Sequence, residues 1–372
     1  MTVLLSHTLK LYAVFFLMLL MVELVSFSLY RFNPAAILDW HYYKSAFEHT
    51  RKPTIPYGWS SPDGLPRPIQ TKYPFTCARA FGDSFTYGEE VDDSEKVWTS
   101  VASRELGCQI ENYGVGGFGT DQALVLYEST KTNTHIVILG IYPEMLRRNL
   151  AASWLFYGGQ KGRALKPYFK LDHQANLEQI SWPESASSED LRNYHRHDIF
   201  FKHYDVKFPY SWHLSKSIYH QMKTRLENKG FFFDKHNDAL PLQLALLDEF
   251  EAQVAARGSE MALVYFPSLA ELSSNNLSYI KQMEIFQDKH PQVCVIDTGP
   301  ALIEAIEKGI GVGAQSGHFN SIGNAIVATE VAKGLKTCQK TKIFISADAQ
   351  TLANFYATQH PLQQYQVDAD RH

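Results

Sequence analysis

The sequence is sparing with cysteine and has no excess of either charge. Its four cysteines, Cys77, Cys108, Cys294 and Cys338, form no CxxC pair and no Cys/His cluster with metal-ligand spacing. That excludes the common zinc and dithiol redox signatures. Buried free thiols are the first expectation for them, although Cys77 and Cys108 fall near the starts of adjacent strands, which leaves a disulfide open. The formal net charge over 372 residues is −4, charged residues make up 20%, and no stripe of Lys and Arg runs along any segment. The electrostatic footprint of a nucleic-acid binder is missing, so no nucleic-acid partner is expected. No internal repeat occurs. Long hydrophobic runs are also scarce, with one exception near the N-terminus.

That exception, residues 11–30, lies between Lys10 and Arg31 and is broken by Glu23, Ser26 and Ser28. At about 1.5 Å per residue it extends roughly 30 Å, enough to cross a bilayer once. Ser26-Phe27-Ser28 is a poor cleavage site, so an uncleaved single-pass anchor over 9–31 is expected; a cleaved signal peptide is the alternative. Lys10 on one side and Arg31 with Lys44 on the other give no orienting bias. Glu23 would be costly at mid-bilayer, so it is expected near an interface or facing a partner.

With hydrophobic residues at 45%, the rest has a globular composition. Residues 32–75 are rich in proline and aromatics without sustained periodicity and read as a linker. From residue 76, strand signals at 76–82, 108–113, 135–142, 261–266 and 293–297 alternate with helical patterns at 95–106, 120–131, 240–256, 277–289, 299–308 and 321–336. The third and fourth strands are near-continuous apolar runs, as strands covered on both faces are. This predicts an α/β fold over 76–337, a three-layer α/β/α sandwich around a five-stranded parallel, flavodoxin-like sheet. Residues 150–235 interrupt the alternation. They read as an inserted subdomain over the carboxyl edge of the sheet, with a hairpin at 166–171 and 176–180 and one long amphipathic helix across 189–228. Residues 338–372 form a polar tail.

Three stretches carry chemistry. Gly82-Asp83-Ser84 follows the first strand, where a serine can project its hydroxyl from the sheet edge as a nucleophile; the plain alternative is a helix-capping turn. Asn112 to Gln122, after the second strand, is rich in glycines that would let backbone N–H groups approach a reacting oxyanion. It also contains Gly114-x-Gly116-x-x-Gly119, the spacing of a dinucleotide fingerprint, but after the second strand and without the acid that should close the next one. The third stretch is Gly317-His318-Phe319-Asn320, ahead of the final helix. Here His318 would either reach back to Ser84 or serve as a surface or capping residue.

In this order, Gly82-Asp83-Ser84, the Asn112–Gln122 loop and Gly317-His318-Phe319-Asn320 resemble the SGNH/GDSL hydrolase superfamily, especially its membrane-anchored, extracytoplasmic branch of esterases and polysaccharide O-acetyltransferases. The resemblance covers roughly 76–337. It implies Ser84 as nucleophile, His318 as general base, Gly117 joining the Ser84 N–H in an oxyanion hole, and Asp83 as a structural residue of the turn. It implies no metal or organic cofactor, and an acylated carbohydrate or small ester as substrate. Two positions depart from the pattern. Glu144 stands where the family places an oxyanion-donating asparagine; it either lines the site or makes a structural ion pair, with Asn149 or a backbone N–H as the donor instead. The aspartate expected before the histidine is replaced by Gln315 and Ser316, leaving a backbone carbonyl, Ser316 or a distant acid such as Asp297 to hold His318. The expected activity is hydrolysis of O-acyl groups on a cell-envelope glycan. Acyl transfer with the same chemistry, or a degenerate glycan-binding or scaffold protein, are the alternatives. Trp154, Phe156, Tyr157 and Tyr168 would be sugar-stacking walls or the insertion's own core.

Overall fold

Five short runs pair side by side, all parallel, in the order Gln109–Gly114, Thr76–Gly82, Ile136–Ile141, Glu260–Tyr265 and Cys294–Asp297 across the sheet. In chain order the elements of the computed structural model are as follows: α1 (Thr2–Phe32), β1 (Thr76–Gly82), α2 (Ser84–Tyr87), α3 (Trp98–Leu106), β2 (Gln109–Gly114), α4 (Thr120–Ser129), β3 (Ile136–Ile141) and α5 (Met145–Asn149). Then come β4 (Tyr168–Leu171), β5 (Leu177–Ile180), α6 (Ser188–Tyr194), α7 (Tyr210–Glu227), α8 (Ala239–Ala256), β6 (Glu260–Tyr265) and α9 (Leu269–Ser274). The last four are α10 (Ile280–Lys289), β7 (Cys294–Asp297), α11 (Gly299–Glu307) and α12 (Ser321–Thr337). The structure describes residues 2–32, 53–131, 133–154, 165–183, 187–198, 208–227, 239–274 and 280–338. Phe156, Tyr157, most of the first half of the expected linker, and the expected tail beyond Cys338 lie outside the described residues.

The chain divides into two units: Met1–Ser60 with Gly117–Thr130 and Pro143–Phe250, and Ser61–Gly116 with Lys131–Tyr142 and Glu251–His372. The second unit holds the whole parallel sheet. β3 is buried at every position and β6 at all but its first, so the sheet is covered on both faces. That burial is why these strands are almost wholly apolar instead of alternating. Within the unit, α12 packs on α3 and on β7, and Val327, Ala328, Val331 and Leu335 enter a core with Trp98, Ile138, Val264 and Phe266. The chain leaves β1 for β2 on one side and continues through β3, β6 and β7 on the other. The switch point of the sheet therefore lies at the carboxyl ends of β1 and β3, where open α/β sheets bind ligands.

Close packing at that point depends on glycine. A Cβ on Gly140, in β3, would lie 2.2 Å from Thr86 Oγ1 and 2.5 Å from the Phe266 ring. One on Gly82, whose φ is +152°, would lie 2.1 Å from the same hydroxyl. The turn after β1 is thereby seated directly on β3. Gly140→Ala is expected to lower stability by about 1–3 kcal/mol through overpacking and to displace the turn. A urea titration checks the stability loss, and a shift in near-UV circular dichroism the displacement.

Both cysteine pairs are disulfides, Cys77–Cys108 and Cys294–Cys338, with Cα–Cα distances of 5.8 and 5.9 Å. The expectation of free thiols is thus corrected. The first pair joins β1 to the residue ahead of β2, and parallel pairing of these strands brings the two together. The second ties β7 to the residue after α12, a proximity that sequence spacing does not reveal.

In the first unit, β4 and β5 form an antiparallel hairpin in the register Tyr168↔Ile180 to Leu171↔Leu177. The single helix expected across 189–228 is not formed. α6 ends at Tyr194, a 3-10 turn covers His195–His197, and a separate helix starts at Tyr210. Pro209 explains the second start: it has no N–H to donate and its ring clashes with the preceding turn of a helix. Tyr168 is buried and stands edge-on to Tyr194, so it is core and not a sugar-stacking wall.

Candidate active site

Ser84 opens α2 immediately after β1. Asp83 supplies the cap: fully buried, it accepts the Phe85 N–H at 2.9 Å through Oδ1, satisfying one of the free donors at the helix start. The turn is held from below by the second unit's own side chains. Asn112 Nδ2 donates to Thr86 O at 2.8 Å and to Thr99 Oγ1 at 3.1 Å, while its Oδ1 accepts the Gly114 N–H at 2.9 Å. Trp98 Nε1 donates to Thr86 O at 3.0 Å. Buried Arg67 donates to the carbonyls of Tyr87, Gly88 and Val91 at 2.6, 3.1 and 2.7 Å, and its guanidinium lies 4.2 Å from the Tyr87 ring centroid. A cation on the last carbonyls of a short helix is electrostatically favourable. Arg67 comes from the proline-rich stretch read as linker, and nothing local in the sequence marks it for this task.

The histidine comes from a tongue between α11 and α12. Gly313 and Phe319 bridge across it, and Ala314 N donates to His318 O at 2.8 Å. Gly317 takes a φ of +97°, a left-handed conformation that favours glycine. Asn320 closes the tongue, donating to Gly311 O at 2.9 Å and capping α12 at Ile322 and Gly323. The Phe85 ring lies 5.0 Å from the His318 ring and is itself stacked on Tyr142. So held, His318 Nε2 lies 2.9 Å from Ser84 Oγ, and Nδ1 lies 2.8 Å from Ser316 Oγ. Ser84, His318 and Ser316 thus make a hydrogen-bonded relay. For Nε2 to accept the Ser84 proton, Nδ1 must carry the hydrogen and donate it to the Ser316 hydroxyl.

Of the three groups weighed for the second ring nitrogen, Ser316 is the one that meets it. Asp297 Oδ1 instead accepts the Gly299 N–H at 2.8 Å, and burial pushes its carboxyl above the usual range. Among the described residues the backbone N–H of Ser84 has no hydrogen-bond partner, as the first position of a helix leaves it.

Gly117 and Glu144 belong to the first unit. Gly117 has a φ of +80°. Glu144 Oε1 lies 3.6 Å from Arg147 Nη1, the ion pair named as its structural alternative. Asn149 is committed at both ends of its amide, accepting the Thr120 N–H at 2.9 Å and donating to Gln243 Oε1 at 2.6 Å. Its oxygen and one of its two amide hydrogens are thus engaged in scaffold contacts.

The glycine spacing 114–116–119 also finds its explanation. A Cβ on Gly114 would sit 2.2 Å from Tyr87 N, so the strand end must be bare for the Ser84 turn to rest on it. Gly116 faces the Glu89 carboxylate and Gly119 the Asp121 carboxylate. A carboxylate beside Gly116 would repel a pyrophosphate, and Gly119 is closed in by Asp121 Oδ1 and Asn149 Oδ1, 2.5 and 2.6 Å from where its Cβ would lie, so these residues do not fit a dinucleotide. No group of three or more His, Cys, Asp or Glu side chains placed to hold a metal occurs among the described residues.

No family model and no curated protein matches the chain. Solved structures similar to it include a lipolytic protein of the G-D-S-L family from Veillonella parvula, 13% identical over 69% of this chain and 96% of that one, with a TM-score of 0.36. A catalytic mutant of the acetylxylan esterase Axe2 from Geobacillus stearothermophilus is 10% identical over 72% and 96%, with a TM-score of 0.39. A carbohydrate esterase family 2 enzyme with its carbohydrate-binding domain, from Corynascus thermopiles, is 10% identical over 73% and 69%, at 0.38. These likenesses are low in both measures, and the chemistry of the site rests on its own residues.

Proposed function

We propose that the chain is a serine esterase of the SGNH/GDSL type, which removes O-acyl groups, O-acetyl above all, from a glycan of the cell envelope. The observation that carries this reading is the 2.9 Å contact between His318 Nε2 and Ser84 Oγ. It pairs a nucleophile with its base at the switch point of a parallel sheet. Ser84 Oγ attacks the acyl carbonyl as Nε2 takes its proton, and the Ser84 N–H receives developing negative charge on the carbonyl oxygen. Resemblance alone assigns Gly117 as the second donor. The imidazolium then protonates the leaving sugar oxygen, and water, deprotonated by the same nitrogen, frees the acid from the acyl-serine. A scaffold with a degenerate site has no use for a serine and histidine held in this contact.

Ser316 gives the site a particular signature. A neutral hydroxyl fixes the tautomer, as an aspartate would, but adds no negative charge to stabilise the imidazolium. Ser316→Ala is expected to lower kcat about tenfold, roughly 1.4 kcal/mol of barrier, with KM unchanged. Ser316→Asp is expected to raise the apparent pKa of the base, moving the acid limb of the kcat/KM profile to higher pH. A pH profile that stays put in both variants would show that Ser316 does not act through the imidazole.

The two disulfides support a domain held outside the cytoplasm, because such bonds persist in oxidising compartments. α1 supplies the anchor: 24 residues, Leu9–Phe32, are apolar and long enough to cross a bilayer. A membrane attachment with an envelope-side active site favours a polymeric ester close to the membrane as substrate. Labelling by a fluorophosphonate, lost in Ser84→Ala and in His318→Ala, tests the chemistry. Incubation with an acetylated glycan then separates outcomes: free acetate means hydrolysis, and acetyl groups moved to an added acceptor glycan mean transfer.

A further inference from the structure

α1 and α7 belong to the same unit and meet where α1 carries its one carboxylate. Glu23 accepts the backbone N–H groups of Tyr210 at 2.9 Å and Ser211 at 3.2 Å, and the Ser211 hydroxyl as well. The Tyr210 ring packs against Phe27 and Tyr30, with centroids 5.2 Å from each. A carboxylate on the first N–H groups of a helix is well placed, since those donors have no intrahelical partner and the helix dipole favours negative charge there. The expectation that Glu23 faces a partner has its answer in the start of α7.

Beyond this contact α7 shows a face against which nothing packs among the described residues. Trp212, Tyr219 and Met222 are 58%, 68% and 58% exposed, and Ile218 is also exposed. With Ser215 these positions fall within an arc of about 120° on the helix. Lys216 flanks the arc, its Nζ 5.3 Å from the Trp212 ring centroid. Lysine stems beside tryptophan and tyrosine are the usual furniture of a membrane boundary, where apolar stems lie in lipid and charged ends reach water. From Val206 to Leu226 the sequence carries Lys207, Lys216, Lys223 and Arg225 and no Asp or Glu, which suits an anionic lipid surface. Depth agrees as well. Glu23 precedes Tyr30 and Arg31, the end of the apolar stretch, by seven and eight residues, or about 10 Å of helix. Surface helices bury their apolar faces about 5–10 Å into the headgroup–acyl boundary.

We propose that α7 is a membrane-surface helix, seated in the boundary of the bilayer that α1 crosses, with Trp212, Ile218, Tyr219 and Met222 in contact with lipid. Glu23 locks it there through the Tyr210 and Ser211 donors. The proposal rests on α1 being inserted, and its consequence is a second point of attachment that fixes how the first unit lies on the membrane instead of leaving it to swing on one helix.

All four native cysteines are paired, so one introduced cysteine is the sole thiol for labelling. The full chain, carrying Tyr219→Cys, Leu17→Cys in α1, or Glu307→Cys on α11, is reconstituted into vesicles of phosphatidylcholine and phosphatidylglycerol. Each is labelled with an environment-sensitive fluorophore and challenged with lipids brominated on their acyl chains. Labels at 219 and 17 are expected to lose about half their emission, and the label at 307 none. Quenching at 17 with a label at 219 as unaffected as that at 307 would overturn the proposal while leaving the anchor intact. A label at 17 that escapes quenching would remove the anchor and the proposal together.

Discussion

Ser84→Ala is expected to lower turnover of an activated acetyl ester by about four to six powers of ten, with no loss of stability. The two halves of this expectation have separate causes. Among the described residues the Ser84 hydroxyl has one side-chain partner, His318, and the turn is held by Asp83, Asn112, Trp98 and Arg67 through other atoms. Deleting one oxygen therefore removes the nucleophile and leaves its scaffold. His318→Ala should cost about as much, and the double variant little more, because nucleophile and base act as one unit. Single-turnover assays with p-nitrophenyl acetate, beside a thermal melt, measure this. Retention of a tenth of the activity by Ser84→Ala would defeat the assignment of the nucleophile.

Lys166→Met is expected to destabilise the first unit by about 3–5 kcal/mol. Lys166 and Asp121 are both fully buried and paired through Nζ and Oδ2. Burial pushes the Asp121 carboxyl up and the Lys166 ammonium down, each opposed by the charge of the other. The pair is well solvated by protein: Asp121 Oδ1 accepts the Gln122 N–H at 2.8 Å and Lys166 Nζ donates to Pro167 O at 3.1 Å. Removing the ammonium leaves a carboxylate with no water and no counter-charge, the costly half of a broken pair. Lys166→Met with Asp121→Leu removes both charges and should recover most of the loss, because the desolvation cost of the pair offsets much of its attraction. Urea titrations of the unmodified chain and the two variants decide it. A double variant as unstable as the single would show that the packing around Lys166, and not charge, is what matters.

The parts legible in the sequence were those with local causes. Strands buried on both faces must be apolar throughout, so β3 and β6 stand out as runs, and the observed bounds of the five strands differ from the expected ones by a residue or less. Gly82-Asp83-Ser84 and Gly317-His318 stand out because a tight turn and a left-handed residue require glycine. The start of α7 has a local cause as well, Pro209, but the amphipathic pattern on either side outweighs it and predicts one helix running through. Arg67, the Lys166–Asp121 pair and the Cys294–Cys338 bond leave no such trace. Each joins residues far apart in the chain, and a single arginine, lysine or cysteine carries no periodicity.

The sequence by itself determined the parallel α/β sheet and which residues stand at its carboxyl edge, because burial and turn geometry act over a few neighbouring positions. Only the tertiary structure decided which group meets the second nitrogen of His318, what holds Asn149, and what answers Glu23. Those are matters of ångströms between separate segments, and hydrogen bonds and charges are selective at that scale. The missing aspartate could be read as a gap in the sequence; in the folded chain Ser316 stands in its place.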